Sequence, residues 1–253
     1  MRRIKLIVAY DGTEYSGWQI QPEAPTIEMY LDKAIRELTG ENVHVTGASR
    51  TDAGVHAYGN VAVFDTESTI PGDRFTFALN RFLPDSIVIQ DSWEVSGDFH
   101  PRHCNTRKTY EYRILNTAVP LPQKRNFTWH VAGSIDIHKM REAAAYIVGE
   151  HDFKSFCCVR TQAESTVRTI YSLEVLQEGS EIIICIKGNG FLYNMVRIIT
   201  GTLIQVGKGR FKPEYVKQML EAKDRTVAGQ TAPPQGLTLV GIEYVDNDDA
   251  RVV

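Results

Sequence analysis

The sequence predicts an α+β protein made of two consecutive βαββαβ-like units with mainly antiparallel sheets. Apolar residues alternate with period two in several short segments, as in half-buried strands, and recur at helical spacing in others. The same order of elements occurs twice, the second time with one added helix. At 253 residues the chain is long enough for two cores. We therefore expect units over residues 1–104 and 105–253, with a functional site in a cleft between them.

The first unit begins with an extended segment over residues 4–10, which ends at the turn pair Asp11-Gly12. Thr26 suits the N-cap of a helix over residues 27–38, and Gly40 ends that helix. The rest of the unit is predicted as strands over residues 43–48 and 58–64, a helix over 71–82 and a strand over 86–93.

The second unit repeats this plan. A strand over residues 109–115 is followed by a helix over 137–148 and by a hairpin of strands 170–176 and 182–186 around the turn Glu178-Gly179-Ser180. An apolar helix over residues 191–206, an added amphipathic helix over 213–222 and a last strand over 237–244 complete it.

Composition excludes several classes of protein. The chain is 43% hydrophobic and 23% charged, as in ordinary globular domains, and no apolar run approaches the roughly 20 residues of a membrane span. Its N-terminus is too short and too charged in its apolar part for a signal peptide. The four cysteines form no C-x-x-C pair, which fits neither a disulfide framework nor a zinc site. We expect a cytoplasmic protein.

A net charge of −3 does not exclude a nucleic-acid partner, because phosphate binding needs only a local basic patch. Residues 100–113 supply one, with four Lys or Arg side chains (Arg102, Arg107, Lys108 and Arg113) against the single acid Glu111. Histidines and a cysteine also occur there, but without a second ligand pair, so a metal site is not expected.

The connection over residues 47–57 carries an aspartate that is a candidate for chemistry. Asp52 lies between small residues, two positions after Arg50 and four before His56. Small neighbours allow a substrate to approach, and an aspartate is ionised at neutral pH, so it can act as a nucleophile or base. The alternative is a simple turn between two strands with Arg50 on its surface.

Two further residues stand out in the second unit. Tyr110 lies between basic residues in a strand, which suits stacking on an unpaired base, although Tyr110 and Tyr112 can equally line one face of a sheet. Arg197 interrupts an apolar helix, and a buried arginine needs a carboxylate partner. The alternatives for Arg197 are a structural salt bridge and a side chain that reaches the helix edge.

Several of these segments resemble the tRNA pseudouridine synthase A family. The run from Ser49 to Ala57, Ser-Arg-Thr-Asp-Ala-Gly-Val-His-Ala, is the most specific. Further matches follow in chain order from Tyr10 to about Gly241: Tyr10-Asp11-Gly12-Thr13, Gly17-Trp18-Gln19, Asn80, Leu83-Pro84-Asp85, Phe99-His100, Arg102, Thr109-Tyr110-Glu111-Tyr112-Arg113, His151-Asp152-Phe153, Ser155-Phe156, Arg168-Thr169-Ile170, Gly188-Asn189-Gly190-Phe191-Leu192 and Met195-Val196-Arg197.

The resemblance implies a cytoplasmic homodimer that isomerises uridine to pseudouridine at positions 38, 39 and 40 of the tRNA anticodon stem-loop, without cofactor or metal. It gives Asp52 the role of essential carboxylate, Arg197 that of its partner and Tyr110 that of stacking on the target uracil. Arg50 would help to extrude the uridine and fill the vacated space, or would contact phosphate.

Three routes stay open for Asp52, namely addition to C1′, addition to the base, and removal of a C2′ proton to give a glycal.

Two other functions fit parts of the pattern. Tandem βαββαβ units also describe RNA-recognition modules that lack catalysis, but residues 60–65 do not have the glycine and spaced aromatics of such a module. A metal-free lyase that acts on a small molecule through Asp52 would show no affinity for RNA.

Overall fold

The computed structural model describes residues 1–158 and 163–245 and is α+β, as predicted. Its chain divides into two compact units. Of the described residues, the first contains Met1–Asn105 and residues 238–245, and the second contains Thr106–Leu237. The first division lies one residue from the predicted one, but the assignment of the last strand to the second unit is wrong.

The first unit combines a sheet with two helices. Its described elements are β1 (Arg2–Tyr10), α1 (Ile27–Thr39), β2 (Thr46–Gly47), β3 (His56–Thr66), α2 (Phe75–Leu79), β4 (Ile87–Val95) and β10 (Leu237–Tyr244). The main strands lie in the order β4-β1-β3-β10, with the short β2 paired to β3. Strand β1 is antiparallel to β3 and β4, whereas β10 is parallel to β3.

Helix α1 forms as predicted, and α2 does not. The Thr26 side chain accepts the Met29 N–H, and Gly40 ends α1 in the left-handed region at φ 76°. The predicted helix over residues 71–82 is instead a 3-10 turn followed by the five-residue α2. The amide of Asn80 donates to Ile89 O and accepts the Ile89 N–H, at 2.9 and 2.7 Å. These contacts tie the end of α2 to β4.

Strand β10 joins the first unit through specific pairing. Leu239 lies opposite Ala57 of β3. At the other end of β10, the ring of Tyr244 packs edge-on against Phe99 at 5.1 Å, and its hydroxyl donates to Pro101 O at 3.1 Å. The order of elements in the sequence is compatible with β10 in either unit. These contacts place it in the first unit.

The second unit combines paired strands with three helices among its described residues. Its elements are β5 (Thr106–Leu115), β6 (Trp129–His130), α3 (Ile137–Ala145), β7 (Gly149–Asp152), β8 (Val167–Glu178), β9 (Glu181–Gly188), α4 (Met195–Gly207) and α5 (Tyr215–Ala222). The strands lie in the order β5-β9-β8-β7 and neighbours pair antiparallel, while β6 is parallel to β5. The two-residue β6 and the four-residue β7 are too short for a periodic pattern and were not predicted.

The apolar helix α4 starts four residues later than predicted. Asn194 adopts a left-handed conformation at φ 62°, so residues 191–194 stay outside the helix. Helix α3 packs closely on the end of α4, where a Cβ at Gly207 would lie only 3.0 Å from Met140 Cγ. In the described parts of the chain, no helix has both the length and the apolar character to cross a membrane.

Candidate functional site

Asp52 lies at the head of a tight turn between β2 and β3. The base of this loop is fixed to the sheet, because the Ala48 N–H donates to Val61 O at 2.8 Å. At the head, the Val55 N–H donates to Asp52 O at 3.2 Å, and Gly54 takes the left-handed conformation that closes the turn, at φ 76°. The Asp52 side chain is half-buried. The turn therefore presents one carboxylate among small residues.

A buried polar network supports the loop from beneath. The hydroxyls of Tyr10 and Thr51 lie 2.8 Å apart. The amide of Asn60, which is wholly buried, donates to Ser49 O at 2.9 Å and to the Tyr10 hydroxyl at 3.3 Å. Because buried polar groups are costly to leave unsatisfied, this network favours a single loop conformation. Sequence analysis did not assign Tyr10 or Asn60 to the site.

The segment after β1 holds the same loop from another side. Trp18 N–H donates to Thr51 O at 3.1 Å, and Gly54 N–H donates to Tyr15 O at 3.2 Å. A Cβ added at Gly12 would lie 2.0 Å from Val55 O, so only glycine fits there. A Cβ at Gly17 would likewise lie 2.5 Å from Thr51 O, so both segments need glycine where they pass the aspartate loop.

His56 closes the loop at the start of β3 and is buried. Its Nδ1 accepts the Gly12 N–H at 3.0 Å and lies 3.2 Å from a carboxylate oxygen of Asp11. These contacts give His56 a structural role in the loop.

Arg50 and Arg102 lie together at the base of the loop. Arg50 is exposed, and Arg102 Nε donates to Gly47 O at 2.7 Å. Burial lowers the pKa of Arg102, and the nearby positive charge of Arg50 lowers it further, while Glu28 opposes the shift. The sequence placed Arg102 in a basic stretch and among the family matches, and its contact with the loop needed the tertiary structure.

The two tyrosines of β5 differ in their surroundings. Tyr110 is 6% exposed and packs edge-on against Phe191, with ring centroids 5.1 Å apart. Tyr112 is wholly buried, and its hydroxyl donates to Pro233 O at 2.7 Å. Burial raises the pKa of Tyr112 well above the usual value. Tyr112 is therefore a core residue, while Tyr110 stays a candidate for substrate contact.

Arg197 lies in the first turn of α4 and is half-buried. Its Nε donates to Ala232 O and its Nη1 to Asn194 Oδ1, both at 2.7 Å. These two contacts hold the guanidinium in one orientation within the second unit. Its predicted pairing with Asp52 stays a prediction.

The Arg168 side chain bonds backbone carbonyls at the start of its own strand, β8. One of its guanidinium nitrogens donates to Ser165 O at 2.9 Å and to Val167 O at 2.6 Å. Burial lowers the pKa of this side chain. These contacts favour capping of a strand end by Arg168 over a contact with phosphate.

Among residues 1–158 and 163–245, no group of three or more His, Cys, Asp or Glu side chains is arranged to hold a metal ion. The imidazoles of His100 and His103 instead stack on each other, with centroids 3.8 Å apart and planes 13° from parallel. Cys104 Sγ donates to His100 O at 3.3 Å.

The chain is similar to known proteins along nearly all of its length. A family model described as tRNA pseudouridine synthase matches residues 6–103 and 143–245. A tRNA pseudouridine synthase A of Ruminiclostridium cellulolyticum is 51% identical over 245 residues, and one of a Thermoanaerobacter species (strain X514) is 48% identical over 244; each match covers 96% of this chain and the whole relative. One chain of a solved Cbf5-Nop10-Gar1 complex is similar at 13% identity and a TM-score of 0.30. The match covers 93% of the present chain and 56% of the chain in the complex, and at this TM-score it supports no conclusion about the fold.

The fold and the aspartate loop thus occur together in a chain whose relatives are RNA-modifying enzymes by name. At this identity and coverage, the chain belongs to the tRNA pseudouridine synthase family.

Proposed function

We propose that this protein isomerises uridine to pseudouridine in the anticodon stem-loop of tRNA, at positions 38, 39 and 40, with no cofactor. The observation that carries the proposal is full-length similarity to relatives named tRNA pseudouridine synthase A, together with a rigid loop that presents Asp52. In this reaction the bond between N1 and C1′ breaks, the uracil turns, and a bond forms between C5 and C1′. The C5 hydrogen leaves as a proton and N1 gains one, so no oxidant or reductant is needed.

Asp52 is proposed as the essential carboxylate. The turn supports this role because its small residues let a nucleoside approach, and because the network of Tyr10, Thr51 and Asn60 limits movement of the loop. The three routes, attack on C1′, attack on the base and formation of a glycal, all begin from an ionised carboxylate.

The other proposed site residues act on the RNA or on Asp52. Tyr110 would stack on the target uracil, and Arg197 would keep Asp52 ionised while substrate displaces water. Arg50 would act on the stem, either by filling the space that the uridine leaves or by contact with phosphate; its exposure suits both roles.

The direct test is tritium release from C5-labelled uridine in tRNA. We expect release by the wild-type protein and none by Asp52→Asn, which keeps the side-chain shape but not the charge. Asp52→Asn should still fold and bind tRNA. Asp73→Asn, an exposed site outside the loop, is the matched control and should retain full activity.

A substrate series tests the assigned positions. Stem-loop RNAs in which cytidine replaces uridine at 38, 39 and 40 should release no tritium, and restoring one uridine should restore release. Substantial turnover by Asp52→Asn would remove this residue from its role, and wild-type turnover of the cytidine-substituted RNA would refute the position assignment.

We also propose that the protein acts as a homodimer in the cytoplasm, which is supported by the resemblance to the family. Light scattering during size-exclusion chromatography measures the first point. A mass near twice 28.5 kDa is expected, whereas a single-chain mass at micromolar concentration would contradict it.

A further inference from the structure

The turn over residues 100–104 in the first unit has a shape fixed by its own contacts. The His103 N–H donates to His100 O at 3.2 Å, and the two imidazole rings stack. His100 is half-buried and His103 is exposed. The turn therefore holds the His100 ring in one orientation at the surface.

The hydrogen-bond pattern also fixes the tautomer of His100. Its Nδ1 lies 3.2 Å from the Arg102 backbone nitrogen and accepts that N–H. A neutral ring must then carry its hydrogen on Nε2. Burial lowers the pKa of His100, and the positive charges of His103, Arg102 and Arg3 lower it further. At neutral pH His100 thus offers an uncharged N–H donor.

Arg102 connects this turn to the aspartate loop. Its Nε donates to Gly47 O, and this contact does not use the two terminal guanidinium nitrogens. Arg102 is an exposed residue. The charge of Arg50 acts on the same guanidinium, and the acid that acts on it is Glu28. One oxygen of Glu28 already accepts the Ile20 N–H at 2.9 Å. The acid near Arg102 is therefore already bonded to the backbone, and Arg102 keeps a positively charged neighbour in Arg50.

An anion would remove the repulsion between the two arginines. A phosphate oxygen accepts hydrogen bonds from guanidinium and imidazole N–H groups, and charge-assisted bonds of this kind are the stronger ones. The position beside the Asp52 loop indicates which anion, because the RNA backbone on either side of an extruded uridine must pass close to the carboxylate that acts on it.

We propose, on the basis of the function proposed above, that Arg102 and His100 bind one backbone phosphate of the substrate RNA beside the Asp52 loop. Arg50 adds attraction for the same phosphate. Arg102 has a second effect as a positioning residue, because its bond to Gly47 O supports the base of the loop. The site therefore couples the grip on the RNA backbone to the placement of Asp52.

A phosphate-substitution experiment tests this contact. Anticodon stem-loop RNAs, each with one uncharged methylphosphonate among the phosphates that flank the target uridine, are titrated with wild type, Arg102→Gln and Arg74→Gln. Wild type should bind one of these RNAs about tenfold more weakly than unmodified RNA. Arg102→Gln should bind unmodified RNA about tenfold more weakly and show a clearly smaller additional loss with that one RNA, because only His100 and Arg50 still act on the phosphate. Arg74→Gln, which removes an exposed arginine elsewhere in the unit, should keep the wild-type pattern.

Three further measurements separate the two effects of Arg102. Arg102→Lys keeps the charge and removes the Nε donor, so it should retain most of the affinity but react more slowly in a single turnover at saturating RNA. The log–log salt slope of binding should become less steep by about 0.7–0.9 in Arg102→Gln and stay near wild type in Arg102→Lys. His100→Phe, which keeps an aromatic ring against His103 but lacks the Nε2 donor, should weaken binding several-fold with little change in the saturated rate.

Additive losses would overturn the phosphate contact. If Arg102→Gln and each methylphosphonate weaken binding independently for every RNA, Arg102 touches none of those phosphates. If the wild-type protein makes no pseudouridine in any unmodified RNA, the proposed function fails instead, and that result is read from the wild type alone.

Discussion

The hydroxyl of Tyr10, the last residue of β1, lies 2.8 Å from the hydroxyl of Thr51, the residue before Asp52. This contact ties the aspartate loop to the first strand of the sheet. The same Tyr10 hydroxyl accepts from Asn60 of β3, so two strands and the loop meet at one oxygen atom.

Tyr10→Phe removes that oxygen and keeps the ring. We expect a loss of about 1–2 kcal/mol in the free energy of unfolding, because Thr51 loses a partner in a buried setting. The single-turnover rate should fall more than RNA affinity does. Tyr15→Phe is the control, since its hydroxyl bonds Ser86 rather than the loop. Denaturant titration and rapid-quench kinetics measure the two effects; equal rates in both variants would show that the Tyr10 contact does not support catalysis.

Gly12→Ala should disturb the loop by steric conflict alone. A Cβ at this position would lie 2.0 Å from Val55 O, which forces the two segments apart. We expect a destabilisation of roughly 1–3 kcal/mol and a marked loss of turnover. Gly97→Ala is the matched control, because a Cβ there meets no atom within 4 Å. Thermal unfolding of both variants measures the difference, and a Gly12→Ala protein as stable as the control would contradict the close packing.

Replacement of Arg197 tests its predicted pairing with Asp52. Arg197→Met should abolish turnover and leave the protein folded, because a carboxylate without its partner can take up a proton. Arg197→Lys keeps the charge but cannot reproduce the bonds to Ala232 and Asn194, so it should be clearly impaired. In Arg197→Lys the acidic limb of the rate profile should move to higher pH when chemistry limits the rate.

The control for Arg197 is Arg210→Met, which also removes an arginine with a side-chain partner, Gln205. It should remain active with an unchanged pH profile. A fully active Arg197→Met enzyme with an unmoved acidic limb would reduce Arg197 to a structural role.

RNA affinity should fall steeply with salt although the pI is about 6.2. Arg107 is exposed and its guanidinium lies 5.4 Å from the centre of the Tyr171 ring, at the start of the basic strand β5. Replacing Arg107 and Lys108 together by Ala should flatten the log–log salt slope by about 0.7–0.9 for each phosphate that these side chains neutralise in the wild type. The double variant Lys33→Ala with Arg36→Ala removes equal charge from α1 and should keep the slope. An unchanged slope in the β5 variant would place the phosphate track elsewhere.

Glu181 should make stability depend on pH. Its side chain is 12% exposed and bonds Lys124 at 2.7 Å and Arg113 at 3.0 Å. The hydrogen bond from Lys124 holds the pKa of Glu181 below its ordinary value, with a further contribution from Arg113. A lowered pKa adds stability above the pKa of the unfolded chain, and this stability is lost as pH falls through the folded value.

Glu181→Gln should therefore lower the free energy of unfolding by about 1 kcal/mol at pH 7, and the difference from wild type should shrink toward pH 3. Glu221→Gln, at an exposed position of α5, is the control and should change little at either pH. Urea titrations at both pH values measure this; a difference that does not vary with pH would exclude ionisation of Glu181 as its cause.

The sequence alone determined the features that depend on local chemistry. Capping by Thr26 and the left-handed Gly40 fixed α1, and the turn around Gly179 fixed the hairpin of β8 and β9. The bounds of β10 were also predicted, because alternation and turn residues are properties of neighbouring positions. The run of nine residues around Asp52 gained its assigned role from a family resemblance, since the local pattern also allowed a simple turn.

Only the tertiary structure decided the features that depend on distant partners. Asn80 ends α2 early because it bonds Ile89, and β10 joins the first unit because it pairs with β3. Tyr110 and Tyr112 share a strand face, yet Tyr112 is committed to the core by its bond to Pro233, 121 positions away. Hydrogen bonds and packing between residues far apart in the chain leave no periodic trace in the sequence, so these outcomes required the folded chain.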